Sequence, residues 1–203
     1  MLTLPSRHRA VRTQRGTSML EVLIAIVIVV VGLLGLAGLQ ARINLAELES
    51  FQRAQAIVLT QDMVDRINAN RKNAVSYVTT TPLGTGGTVA DCSAAGITTM
   101  ALRDQCEWSN ALLGAAETSG SSTQVGAMIG ARGCVTDLSD ATKPYKQYLV
   151  AVVWQGLNPT VAPGATTCGS GSYGSNDKTR RAMVANVVVG CLQNNPANPN
   201  LCL

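Results

Sequence analysis

From Val22 to Leu39 the chain runs VLIAIVIVVVGLLGLAGL, 18 residues without one polar side chain. With Met19 and Leu20 in front, the run reaches the ~20 residues that cross about 30 Å of hydrocarbon as a helix. A segment like this settles the organisation of everything around it. Arg7, Arg9, Arg12 and Arg15 precede it with no acidic residue among them, so the positive-inside rule puts residues 1–16 in the cytoplasm and the chain beyond Gln40 across the membrane. A secretory signal is the obvious rival, but its apolar region is shorter and ends at a small-residue cleavage site before a polar chain. Here residues 41–72 contain no Gly or Pro and read as more helix. Ile43, Ala46, Ala54, Ile57, Val64 and Ile67 recur at three- and four-residue spacings and are expected to form its packed stripe. Together the two stretches predict one helix from about residue 18 to residue 71, about 80 Å long at ~1.5 Å per residue. A small head cannot bury such a helix, which therefore needs other copies or partners.

The remaining 12 Lys/Arg side chains balance the 12 Asp/Glu, so the overall charge of +4 belongs to the basic N-terminal stretch. A neutral body without a Lys/Arg cluster argues against nucleic acid as a partner. Cys92, Cys106, Cys134, Cys168, Cys191 and Cys202 all follow residue 91, and an even count confined to one region fits disulfides in an oxidising compartment. Cys92–Cys106 is the favoured local bridge; pairings among Cys134, Cys168, Cys191 and Cys202 stay open. No CxxC spacing occurs and the only histidine, His8, lies in the basic stretch, so no metal site and no cofactor are expected.

Glu21 stands at the start of the apolar run. On its own it reads as an interfacial acid favoured by a helix N-terminus, since a carboxylate deeper in lipid is costly unless paired. Its context alters that reading. Arg15-Gly16-Thr17-Ser18-Met19-Leu20-Glu21-Val22-Leu23 resembles the processing site of type IV prepilins, in which a basic leader ends in Gly and Glu is the fifth mature residue. The resemblance implies a leader peptide over 1–16, cleavage by a prepilin peptidase between Gly16 and Thr17, N-methylation of Thr17, and an assembly charge at Glu21. Thr17 departs from the family's usual Phe or Met, and Met19 from a common Leu. Further along, Ala56, Asp62-Met63, Arg66 and Asn68-Ala69-Asn70-Arg71, then Asp104, Trp108, Leu112 and Gly133-Cys134, resemble the type IV pilus modification protein PilV family of minor pilins.

That resemblance implies an α+β, type IV pilin-like fold: a long N-terminal helix over 17–72 (transmembrane about 20–39, amphipathic 40–72) packed on a small antiparallel sheet, with a disulfide-stabilised periplasmic head over 73–203. It further implies a structural subunit of the bacterial inner membrane and then the pilus, which primes, caps or modifies pilus assembly and supports twitching motility and adhesion. Its partners would be other minor pilins, the major pilin, the prepilin peptidase and inner-membrane lipid. A type II secretion pseudopilin and a single-pass tethered binding head are the alternatives, and the tether would need neither Gly16 nor Glu21.

Within the head, residues 99–113 read as a helix with Leu102, Cys106 and Leu113 on one side, and Pro82–Gly87 reads as a loop. Gln147–Gln155 alternates as a strand with Tyr148, Val150, Val152 and Trp154 on one face, and residues 183–192 form a second β-branched run. Residues 125–129 and 133–138 are expected to form a hairpin, and 156–177 a Pro/Gly/Ser-rich loop. Trp108 and Trp154 are assigned to the core and Arg180-Arg181 to a solvated edge. A head without histidine cannot build a Ser/His/Asp or Cys/His site, and no carboxylate pair stands out as a general acid and base, so no catalysis is expected.

Overall fold

The computed structural model describes residues 18–114, 128–174 and 176–190, together with the backbone of short strands at 118–119, 123–124, 194–195 and 198–202. The chain divides into two units, Met1–Asn44 and Leu45–Leu203. In the first, helix α1 (Met19–Ala69) begins behind Ser18, whose Oγ accepts from the Leu20 amide at 3.4 Å. An 18-residue window there has a mean hydropathy of 3.1 and none of it is buried. This helix is long and apolar enough to cross a membrane.

In the second unit α1 buries Gln52, Ala56, Leu59, Thr60, Met63 and Ile67. That is not the stripe expected from the apolar spacing. Ile67 is buried and Val64 half-buried, but Ile43, Ala46, Ala54 and Ile57 are exposed. The head covers the neighbouring face instead. Thr60 is tolerated there because its hydroxyl donates back to the Ala56 carbonyl at 2.7 Å.

A 3-10 turn, Arg71–Tyr77, follows α1. Strand β1 (Leu83–Gly84) comes next, inside the stretch expected to be loop, and then α2 (Met100–Leu113). Helix α2 starts where Thr99 Oγ1 accepts from the Leu102 amide at 3.2 Å and stops at Gly114, whose φ of 72° is left-handed. Its buried face is Ala101, Asp104, Trp108 and Leu112, not the expected side with Leu102, Cys106 and Leu113. Two deep anchors set that rotation: Trp108 seats on the sheet, and Asp104 is drawn in by Tyr77 and Arg66.

After the short pair β2 (Thr118–Ser119) and β3 (Thr123–Gln124) come β4 (Arg132–Asp137), β5 (Lys146–Gln155) and β6 (Arg180–Val189). They form an antiparallel sheet in the order β1-β4-β5-β6, with Gly133 opposite Val152 and Val150 opposite Ala185. The chain closes with β7 (Asn194–Asn195) paired to β8 (Asn198–Cys202). The expected hairpin of 125–129 with 133–138 does not form across the residues in view. β4 pairs with β1 and β5, the Ile129 carbonyl accepts from the Gln155 amide at 2.8 Å, and 125–127 lie outside the described residues.

Both faces of β5 are buried. Tyr148, Val150, Val152 and Trp154 face α1 and α2, as the alternation predicts. Ala151 and Val153 face a second cluster with Cys134, Cys168 and Tyr173. The fold is therefore α+β as expected: a long apolar N-terminal helix, its later half packed on a small four-stranded antiparallel sheet, with two disulfides among the described residues.

Candidate functional site

Two features carry functional interest: the start of α1, and the devices that hold the head to its later half. Gly16 and Thr17 lie outside the described residues. Glu21 sits in the first turn of α1, exposed, its amide bonded to the Ser18 carbonyl at 2.9 Å. Among the described residues no hydrogen bond or ion pair reaches its carboxylate. Behind it every residue through Asn44 is exposed, with the apolar side chains from Val22 to Leu39 between 48% and 69% accessible. A water-exposed apolar surface of that length is a binding surface, for lipid or for like helices.

The head is fastened to α1 by a polar clamp. Arg66 donates to Asp62 one turn back at 3.0 Å, and across to Asp104 at 2.9 Å and Glu107 at 2.7 Å on α2. The fully buried Tyr77 hydroxyl donates to the other oxygen of Asp104. Burial and that bond push the Tyr77 phenol up to about 12. Gln105 adds a bond to the Tyr77 carbonyl at 2.9 Å, and Trp108 Nε1 donates to the Leu59 carbonyl of α1, also at 2.9 Å. The Asp62–Arg66 pair is visible in sequence as an i,i+4 spacing; its link to Asp104, 38 positions on, is not.

Disulfide Cys92–Cys106 ties the preceding loop to α2, as favoured from spacing, and Asn110 holds the same loop through the Ala90 carbonyl at 2.8 Å. The second bridge, Cys134–Cys168, resolves one of the open pairings and carries the 156–179 loop across the outer face of the sheet. The side chains of Cys191 and Cys202 lie outside the described residues.

Arg180 corrects the expectation of a solvated edge. It is 5% exposed and donates to the carbonyls of Thr166 (2.9 Å), Cys168 (2.8 Å) and Pro163 (3.2 Å). A loop laid over a sheet buries carbonyls that no strand can satisfy, and a planar guanidinium with five donors satisfies several at once. Asp177, at φ 50°, accepts from the Gly171 amide at 2.9 Å and from Ser170 Oγ at 3.0 Å, which hold its carboxyl below the usual range. Arg181 is half-buried and pairs with Glu49 of α1 at 2.8 Å.

Trp108 and Trp154 are both core residues, 0% and 2% exposed. Among the described residues no group of three His, Cys, Asp or Glu side chains is placed to hold a metal.

Over residues 38–106, about a third of the chain, the sequence matches the Tt1218-like family, described as type IV pilin Tt1218. No curated protein and no solved structure matches it. The matched stretch runs from the end of the apolar segment through the clamp residues Arg66, Tyr77 and Asp104 to Cys106. The long apolar helix and four-stranded antiparallel sheet are consistent with the type IV pilin fold, and the match supports a type IV pilin-like structural subunit anchored by its N-terminal helix.

Proposed function

We propose that the chain is a minor pilin of the PilV type: a subunit that primes, caps or modifies a type IV pilus and has no catalytic task. The supporting observation is the first half of α1, an unbroken apolar surface with one carboxylate, Glu21, at its start. Lipid covers the apolar surface before assembly and the helices of other minor pilins and the major pilin cover it afterwards. A prepilin peptidase cuts between Gly16 and Thr17 and frees the Thr17 amine for methylation. That amine, on a neighbouring subunit, is the opposite charge that offsets the intramembrane cost of Glu21 and fixes axial register. The head lies in the periplasm and then on the pilus, where it contributes to twitching motility and adhesion.

N-terminal sequencing of the membrane-extracted protein tests the first step, and a start at Met1 or after Leu39 would sink it. The second step is tested by Glu21→Ala and Glu21→Gln. Both variants should insert, be processed and keep a folded head, yet be depleted in sheared pili relative to their membrane level. Incorporation at the wild-type level would make Glu21 an ordinary interfacial acid.

A further inference from the structure

The two edges of the four-stranded sheet are finished differently. At one edge β1 is two residues long and offers little to pair with. At the other β6 runs ten residues, from Arg180 to Val189, and among the described residues β5 is the only strand paired with it. Its register against β5 is continuous from Gln155↔Arg180 to Lys146↔Val189, so no bulge bends the edge away. Residues 182–189 hold no charged side chain, no proline and no glycine. Natural sheets blunt an outer strand by short length, charge, proline or a bulge, or else cover it. β1 uses the first of these devices, and β6 uses none that a strand carries in itself. The strands that follow, β7 and β8, pair with each other and not with β6. The whole sheet lies within the second unit.

We infer that the free edge of β6 pairs antiparallel with β6 of a second copy, joining two sheets into one about a two-fold axis. Two-fold pairing is the commonest closed symmetry, and in it each copy supplies the same surface. Directly opposed residues of an antiparallel pair lie on the same face, so a symmetric pairing is centred on a residue. Ala185 is the centre that uses the whole uncharged run 182–188. Ala182 then stands opposite the partner's Val188, Met183 opposite the partner's Val187, and Val184 opposite the partner's Asn186. Ala185 meets its own copy on the axis, where side chains come within about 4.5–5.5 Å and a small one fits best. Val188, 53% exposed, gains a neighbour. No like charges are opposed within the run. Arg181, at its end, is already engaged by Glu49 and the Asn158 carbonyl, and Arg180 is buried. An uncharged edge offers little by which to select a foreign strand, whereas its sequence matches itself about Ala185. The pairing needs the second unit alone, and neither Glu21 nor cleavage after Gly16 enters it.

The test uses the full-length chain in detergent micelles over a range of protein-to-detergent ratios. Sedimentation equilibrium should find the mass of two chains. A photo-crosslinking p-benzoylphenylalanine in place of Val188, in mixed isotopically light and heavy chains, should give a light–heavy product joining 188 to the segment around 182. The same crosslinker at Thr136, exposed on β4, should give none. Asn186 and Val188 are both exposed, so the double variant Asn186→Lys, Val188→Lys should fold with both described disulfides formed. Its dissociation constant should nevertheless rise by about tenfold or more, because lysines on the edge then face each other across the axis. A monomer at every ratio overturns the pairing. So does a dimer that the double variant leaves intact and that gives no light–heavy product at 188, which puts the association on the apolar helix. A product joining 188 only to residues 191–203 of the same chain shows that the chain covers its own edge, and overturns it too. A light–heavy product in which 188 meets residues far from 182 overturns the two-fold register. Each of these results leaves the cleavage and Glu21 tests of the pilin reading standing.

Discussion

The two faces of the sheet are covered by different means. On the inner face two helices lay apolar side chains on β4 and β5: Ala56, Leu59, Met63 and Ile67 from α1, Ala101, Trp108 and Leu112 from α2. Helices satisfy their own backbone, so shape is the main demand there. On the outer face a loop does the same job with little apolar area, essentially Tyr173 and the Cys134–Cys168 bridge over Ala151 and Val153. A loop brings unpaired carbonyls, so that face needs a buried guanidinium, a carboxylate in a left-handed turn and a covalent tie. The inner face is held mainly by packing, with the Arg66–Asp104–Tyr77 clamp between α1 and α2 beside it, and the outer face by polar satisfaction and a crosslink. Each should fail in its own way.

The largest effect belongs to the inner face. Gly133 lies where a Cβ would overlap the Trp108 ring and Leu112 Cδ1. Gly133→Val should exceed the ~3 kcal/mol at which overpacking usually stops, a large part of the about 5–15 kcal/mol that holds a domain folded. On the outer face Gly130, at φ 64°, leaves a Cβ 3.5 Å from Tyr173. Gly130→Ala should therefore cost only the left-handed strain, about 1–2 kcal/mol. Urea denaturation of the two variants compares the faces directly, and equal costs would erase the distinction drawn between them.

The same contrast decides what was legible from sequence. Local signals read well: α1 has no Gly or Pro between Gln40 and Lys72, β5 alternates, and Cys92 and Cys106 are close in sequence. Long-range choices did not. Helix α1 carries more than one face apolar enough to pack, and the head took the one that includes Gln52 and Thr60; Thr60 donates back to the Ala56 carbonyl, whereas Gln52 Oε1 is buried with no partner among the described residues. Arg180 looked solvated since nothing in its neighbourhood announces that carbonyls 12 to 17 residues earlier need donors. Asp104 was visible as a residue but not as the group shared by Arg66 and Tyr77. The Gly16–Thr17 cleavage reading lies outside the described residues and is open to the sequencing experiment alone.

Next in size are the disulfides. Chain entropy gives about 4 kcal/mol for the 34-residue separation of Cys134–Cys168 and about 3 kcal/mol for the 14-residue separation of Cys92–Cys106. Access reverses the order of attack. Cys134 and Cys168 are buried, whereas Cys92 and Cys106 are half-buried. Graded reduction with alkylation should therefore label Cys92 and Cys106 first, at little cost to the outer loop. Peptide mapping of the unreduced protein should also find Cys191 joined to Cys202, the pair that the two described bridges leave over. Free thiols at those positions would contradict a third bridge. Arg180→Met follows at about 2–3 kcal/mol, since it strips three carbonyls and Asp177 of their partner. It should loosen the loop while the inner core stays intact, a difference that amide exchange at Cys168 against Leu59 would register.

The smallest effect is a pH response that separates the faces at their margins. Asp177 is held below the usual carboxylate range, first by the Gly171 amide and then by Ser170 and Arg180, against a burial penalty. A carboxylate with a depressed folded pKa adds stability that is present above its unfolded value near 4 and lost as pH falls through the folded one. Acid should therefore free the Gly171 amide below about pH 4 while Trp108 stays seated on α1. Tyr77 works in the opposite sense. Its phenol is raised to about 12, so the stability it adds is full below about pH 10 and disappears as pH climbs toward 12. Tyr148 on the inner face and Tyr173 on the outer are also raised by burial, so base should strain both faces whereas acid selects the outer loop. The discriminating measurement is amide exchange at Gly171 against Leu59 between pH 3 and 5. Loss of protection at both together would mean that loop and helices open as one unit, and that the two faces, though held by different forces, fail as one.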